Sequence, residues 1–362
     1  MEKSVIDIIH HLTQKGVNII DARQTFISRE VDADRIFPGC ILYPGTRLAG
    51  ARTLVGSSAK IGSEGPATIE DSIIGPGAEV ASGFISGATL LSEARAGANA
   101  HFRSGTLLEE KASTAHAVGL KQTILMYSVT LGSLINFCDA LISGGRSRSE
   151  HTEVGSGFIH FNFTPWGKSG DKATPSMIGN VVDGVFLDQD RVFLGGQSGI
   201  VGPYSAEFGK TTPAGRILRR SSAGPDGCVS SDGRKKERLD EIREKNLEFI
   251  KQLFALKEWY SQIRLKRSDF QGNFELSLVL SGAIETIGIC IHERIARYNS
   301  FAREWRLPPV DETSMNGNPA SHEFSPDWKP DLNYDEWVWG LNEHEKTELR
   351  SWLGNFVNRI SL

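Results

Sequence analysis

Aliphatic residues return every six positions along this sequence. Ile36, Leu42, Leu48 and Leu54 keep that interval, with Gly39, Gly45, Ala51 and Ser57 three positions behind them. The phase slips between Ser63 and Thr68, then returns with Ile74 and Val80 beside Gly77 and Gly83, and runs on through Leu90, Ala96, Phe102 and Leu108. A period of six fits neither the period of about 3.6 of an amphipathic helix nor the plain alternation of a long strand. It marks a hexapeptide β-solenoid, in which each short strand turns one aliphatic residue inward and a small residue eases each corner. A β-sandwich, the competing all-β reading, spaces its turns by about 8 to 12 residues. With 38 glycines in 362 residues, the chain has the backbone freedom that so many corners need.

After Leu108 the period blurs while the composition persists, as in Val154–Ile159, Val192–Gly196 and Gly199–Pro203. The solenoid is therefore expected over 19–220, roughly ten coils at 18 residues per three-sided turn, preceded by a helical cap at 1–18. Ser143–Glu153 and Thr164–Ser176 are polar, rich in Gly, Pro and Ser, and read as loops standing off the coils. Ser221–Gly233 reads as a linker. Beyond it, 234–362 is expected to be a separate α-helical domain. Leu239, Ile242, Asn246, Phe249, Leu253, Leu256, Tyr260 and Ile263 follow 3-4 spacing, a coiled-coil-like seam with a polar inclusion at Asn246, open to pairing within or between chains. A second helix fits Phe274–Trp305 and a last one Asp335–Ile360.

Forty Lys and Arg against 44 Asp and Glu leave a net charge of −4, which argues against nucleic acid or an anionic membrane surface as a partner. Cys40, Cys138, Cys228 and Cys290 are far apart and form no CxxC pair, so neither a disulfide framework nor a thiolate metal site is expected, and reduced thiols in a cytoplasm are. The longest apolar runs fall short of the roughly 18 residues of a membrane span, and the start of the chain is too charged for a signal peptide.

Two segments carry a resemblance: Leu131–Asp139 (LGSLINFCD) and Ile159–Phe163 (IHFNF). With the hexad repeat, they make the stretch from about Gly16 to Arg219 resemble the left-handed parallel β-helix that forms the acetyltransferase half of the bifunctional N-acetylglucosamine-1-phosphate uridyltransferase/glucosamine-1-phosphate N-acetyltransferase. The similarity is nearest to a bacterial subgroup described as related to UDP-N-acetylglucosamine pyrophosphorylase. The resemblance implies a mainly β chain, a left-handed β-helix followed by helices. It also implies an amino-sugar phosphate or nucleotide sugar as ligand, acetyl-coenzyme A as co-substrate, and a homotrimer with sites at the subunit junctions. Carried over residue by residue, the family's sugar-phosphate arginine falls at Arg103 and a lysine one coil on at Lys121. The family's Asn-Tyr pair becomes Asn162-Phe163, and its loop lysine becomes Lys168 or Lys172. A guanidinium offers a bidentate fork to phosphate where an ammonium offers a point charge.

The chain departs from that family at Gly132–Asp139, where the motif G-H-x-x-Y-x-G-D has its histidine replaced by Ser133 and its tyrosine by Asn136. Losing a general base typically costs about 10²–10⁴ in rate. Pyrophosphorylase chemistry is not expected either, because only about 18 residues precede the solenoid. His160 stands two residues before Asn162, so the two are expected on one side of a strand, beside the Lys168/Lys172 loop, where an imidazole serves as base or phosphate ligand. The plainer alternative is an ordinary polar strand position. His151 is a second candidate, His116 reads as structural, and Asp188–Arg191 as a solvated turn rather than a metal site. Two functions follow: an acyl- or acetyltransferase using His160 and Ser133, or a non-catalytic sugar-nucleotide-binding scaffold whose helical part binds a partner.

Overall fold

The computed structural model describes residues 5–163, 172–219, 232–311, 328–329 and 331–360. Helix α1 (Val5–Lys15) leads into a parallel β-solenoid whose strands run from Asn18 to Leu218. Ten strands from Asn18–Ile19 to Thr211–Thr212 stack as face I. Face II climbs from Phe26–Ile27 to Ile217–Leu218, and face III from Leu54–Val55 to Tyr204–Ala206. Two long strands, Gly119–Leu125 and Asn136–Ile142, turn the edge between faces II and III, so those faces share a 16-stranded sheet. Face I, then II, then III repeats along the chain, as the hexad period requires. Ile8 and Leu12 of α1 join the solenoid core at its first coils.

The pairing registers say which member of each apolar pair faces in. On face III, Ile36, Val55, Ile74, Leu90, Leu108, Leu125, Ile142 and Ile178 lie in the solenoid core, one above another. Leu54, assigned an inward place by its six-residue interval, instead points outward, because seven residues separate the inward Leu48 from the inward Val55. Its neighbours in the outward row, Ile73, Leu107, Ile124 and Leu141, are also fully buried. Face III is therefore apolar on both sides, which a sheet tolerates only when something covers it.

The helices supply that cover. They are α2 (Val181–Gly184), α3 (Asp232–Trp259), α4 (Lys266–Phe270), α5 (Phe274–Trp305), α6 (Tyr334–Trp339) and α7 (Glu343–Arg359), with a π-type turn at Tyr260–Leu265. They share one hydrophobic cluster with the outer row of face III. The helical seam is used inside the chain: Ile242, Phe249, Leu253, Leu256, Tyr260 and Ile263 are buried, and Asn246 Nδ2 donates to Ala173 O at 2.9 Å and Ile242 O at 2.7 Å. Helix α5 is long and apolar enough to span a bilayer by composition alone. In this chain its apolar stripe packs on α3 and face III.

Helix α5 runs along the solenoid axis. Glu275 meets Ser57, Gly282 and Thr286 meet Arg52 and Thr89, Cys290 meets Gly105, and Arg294 meets Asp139. Nineteen residues of helix rise about 28 Å, against about 24 Å for the five coil-to-coil steps from Val55 to Ile142 at ~4.8 Å each. Gly282 permits the approach, since a Cβ there would lie 1.8 Å from Ile73 Cδ1. Its freed surface is tied by Arg52 Nη2, which donates to Gly282 O at 2.8 Å.

Where the π-type turn meets the III–I edge, charge is buried. Arg264 pairs with Glu110 and lies 3.7 Å from Glu109, with its guanidinium stacked 4.0 Å from the Tyr334 ring centre. Tyr260 OH and the Tyr127 amide donate to Glu109 at 2.7 and 2.9 Å. Burial nonetheless pushes the Glu109 carboxyl up to about 7, with Arg264 opposing the shift.

Candidate functional site

Among the described residues, face III is covered and the outward row of face I is largely polar, while no element covers face II, which carries both cationic and apolar side chains. Its outward rows are set by register. His101, Gly119, Asn136 and Ile159 stack in one row, and Lys121 and Cys138 are paired in the next. Arg103 extends that second row, because its amide donates to Leu120 O at 2.9 Å. Arg103 and Lys121 thus stand side by side on adjacent coils, the first exposed and the second half-buried.

Both cations flank Cys138. Arg103 Nη2 lies 3.8 Å from Cys138 Sγ, and burial raises the thiol despite both positive neighbours, so it stays protonated. The chain turns the II–III edge at Asp139, held at φ 59°, a left-handed setting that Asp tolerates better than most residues. The Asp139 carboxylate gathers the edge: Asn162 Nδ2 donates to it at 3.2 Å, and Arg294 Nη1 of α5 lies 3.9 Å away. Arg294 Nη2 also donates to Lys172 O at 3.0 Å. The expected Arg103, Lys121 and Asn162 therefore do come together, joined by Cys138, Asp139 and Arg294. Arg294 was legible as a charge on the apolar stripe of Ile287, Ile291 and Ile295.

Other expected residues fall elsewhere. Phe163 is exposed, and Lys172 is exposed with its carbonyl, not its ammonium, in the edge network. Lys168 lies outside the described residues. Asn136 is exposed on the same face as the cations. His151 sits on a hairpin, Gly145–Ser147 with Glu150–His151, at the III–I edge, its Nδ1 2.9 Å from Arg148 O. Asp188 anchors α7 through Arg350 at 3.0 Å. Among the described residues no group of three or more His, Cys, Asp or Glu is placed to hold a metal.

His160 has a different setting from the one its spacing suggested. It occupies the inward row, between Phe137 and Ile200, and is 4% exposed. Its ring packs 5.9 Å from that of Phe137, Nδ1 bonds the Cys138 carbonyl, and Nε2 is 2.8 Å from Ser176 Oγ. With Nδ1–H donating to a carbonyl, Nε2 accepts the Ser176 hydroxyl, and neither nitrogen faces the outer surface. Burial pulls the imidazole down to about 4. The group contributes its stabilisation above the ordinary imidazole value and loses it as pH falls toward 4. An NMR titration should show His160 neutral down to about pH 4; an imidazole protonating near its ordinary value would contradict this placement.

Ser133 lies at the opposite edge of face II, between faces I and II. Its amide donates to Ser156 Oγ at 3.0 Å, and its hydroxyl is 3.0 Å from Nδ1 of His116, one coil below. The sequence had left His116 without a partner.

No protein-family model matches the chain. It is similar to the bifunctional protein GlmU of Nocardia farcinica, 28% identical over 226 residues, 62% of this chain and 40% of that protein. The same protein of Desulfitobacterium hafniense is 28% identical over 218 residues (59% and 41%), and that of Thermus thermophilus 28% over 190 (52% and 36%). The chain thus matches about two fifths of the length of these relatives, and with its parallel β-solenoid it resembles the acetyltransferase domain of such proteins.

Proposed function

We propose that this chain binds an amino-sugar phosphate or nucleotide sugar on face II and transfers to it an acetyl or acyl group from acyl-coenzyme A, in the manner of a glucosamine-1-phosphate N-acetyltransferase, in the cytoplasm. The observation that carries the reading is the pair of cations, Arg103 and Lys121, adjacent on a rigid uncovered face beside Asn136 and Asn162. Fixed cations on neighbouring coils suit a phosphate, which takes several charge-assisted bonds at once. The similarity to GlmU over more than half the chain points the same way. Phe163 and Lys172 would border the acceptor. Exposed Ile159, Phe161 and Phe163 give face II an apolar margin suited to other copies of the chain, in keeping with a homotrimer.

The scaffold reading, binding without transfer, is favoured by one observation: His160 has both ring nitrogens engaged in the core. Calorimetry with glucosamine 1-phosphate and UDP-N-acetylglucosamine, with an acetyl-transfer assay alongside, separates the two. Binding with turnover is expected. Binding alone would favour the scaffold, and no binding of either ligand would remove both readings.

A further inference from the structure

Serine and histidine side chains meet at a hydrogen-bonding distance outside the core, on the I–II edge. Ser133 Oγ and His116 Nδ1 are 3.0 Å apart, His116 exposed and Ser133 half-buried. Both are held by backbone rather than by each other alone. The Ser133 amide is fixed to Ser156 Oγ, and the next amide, Leu134 N, donates to His116 O at 3.1 Å. The two residues are 17 positions apart, one coil of the solenoid, so the stacking of coils itself sets their spacing.

The pair shares its face with the cations. Asn136 begins the strand that follows Ser133, and Cys138, in register with Lys121, lies two residues further along. Two residues of strand rise about 7 Å, the separation of Asn136 from the row of Cys138 and Lys121, so Asn136 lies on face II between the Ser–His pair and the cation pair. In the neutral ring with its proton on Nε2, Nδ1 accepts the Ser133 hydroxyl, leaving Ser133 Oγ a lone pair for an incoming N–H or O–H.

We infer that His116, acting through Ser133, is the proton acceptor for the acyl acceptor bound on face II. This rests on the transferase reading above. As the acceptor amine attacks the thioester carbonyl, a C–N bond forms and the C–S bond breaks. The amine proton passes to Ser133 Oγ, the Ser133 proton passes to His116 Nδ1, and the leaving thiolate takes up a proton from the imidazolium. Ser133 is the group that touches substrate, and His116 is a positioning and proton-holding residue behind it.

The test is acetyl transfer from acetyl-coenzyme A to glucosamine 1-phosphate by the full chain, by His116→Ala, His116→Gln and Ser133→Ala. Removing the base is expected to lower kcat about 10²–10⁴-fold while KM stays within about threefold, and added imidazole should restore part of the activity of His116→Ala. His116→Gln, which keeps a hydrogen-bonding group, should remain as slow as His116→Ala. Variants with unchanged kcat would overturn the inference and leave the transferase reading standing. A raised KM at constant kcat would also overturn it, making the pair a binding contact. A parent chain that binds the sugar phosphate but never turns over would remove the transferase reading and this inference with it.

Discussion

Replacing Arg103 and Lys121 together by alanine is expected to weaken binding of an amino-sugar phosphate by about 10²–10⁴-fold, since each hydrogen bond to a charged group is worth about 1.5–3 kcal/mol. Isothermal calorimetry at fixed salt measures it. Both side chains lie on the outer surface of a strand whose inward neighbours, Phe102 and Leu120, stay in place, so the melting temperature should hardly move. The losses in the single variants should not sum to that of the double, because two cations facing the same anion are coupled. Arg103→Lys should fall short of the parent, as an ammonium cannot reproduce a bidentate fork. A double variant that binds within about twofold of the parent would place the ligand elsewhere.

The largest stability effect is expected at Arg264, far from that surface. Arg264→Ala leaves Glu109 and Glu110 inside the chain without their cation, and breaking a buried pair from one side costs about 3–5 kcal/mol. The guanidinium also stacks on Tyr260 and Tyr334, and that contact is lost with it. Denaturant unfolding should show the full drop for Arg264→Ala and a smaller one when Glu109→Gln and Glu110→Gln are added, since the unpaired Glu110 charge and the cost of protonating Glu109, pushed further up without Arg264, are then removed too. Equal losses in the single and triple variants would mean that packing, not charge, holds this edge.

The solenoid was legible because its physics is repetitive: a hexad of aliphatic residues means one thing wherever it occurs, and the inward rows through Leu42, Leu48, Val80 and Phe102 follow it. The docked helices were harder to read, yet they left a trace. Leu54-Val55, Ile73-Ile74, Leu107-Leu108, Ile124-Leu125 and Leu141-Ile142 are doublets, and a strand with one wet side has no use for the second member. Reading those doublets as a covered face would have corrected the phase of Leu54 and shown where the helices dock. Arg103 and Lys121 came from the resemblance to the acetyltransferase family, carried over residue by residue, and the stacking of coils sets them side by side. His160 was misplaced because alternation says which residues share a side but not which side that is. The inward row of Phe102, Leu120 and Phe137 decides it. His116 was passed over because only coil stacking, not local spacing, brings it to Ser133.

A solenoid whose coils touch only their neighbours melts as a row of dominoes, free to fray from either end. Helix α5, fastened at Ser57, Thr89, Gly105 and Asp139, acts as a splint across those coils. Loosening any one of them must also break the helix away from the rest, so the middle of the prism gains or loses its structure in a single step. The edge bearing Asp139 and the cations beside it inherits that all-or-none rigidity.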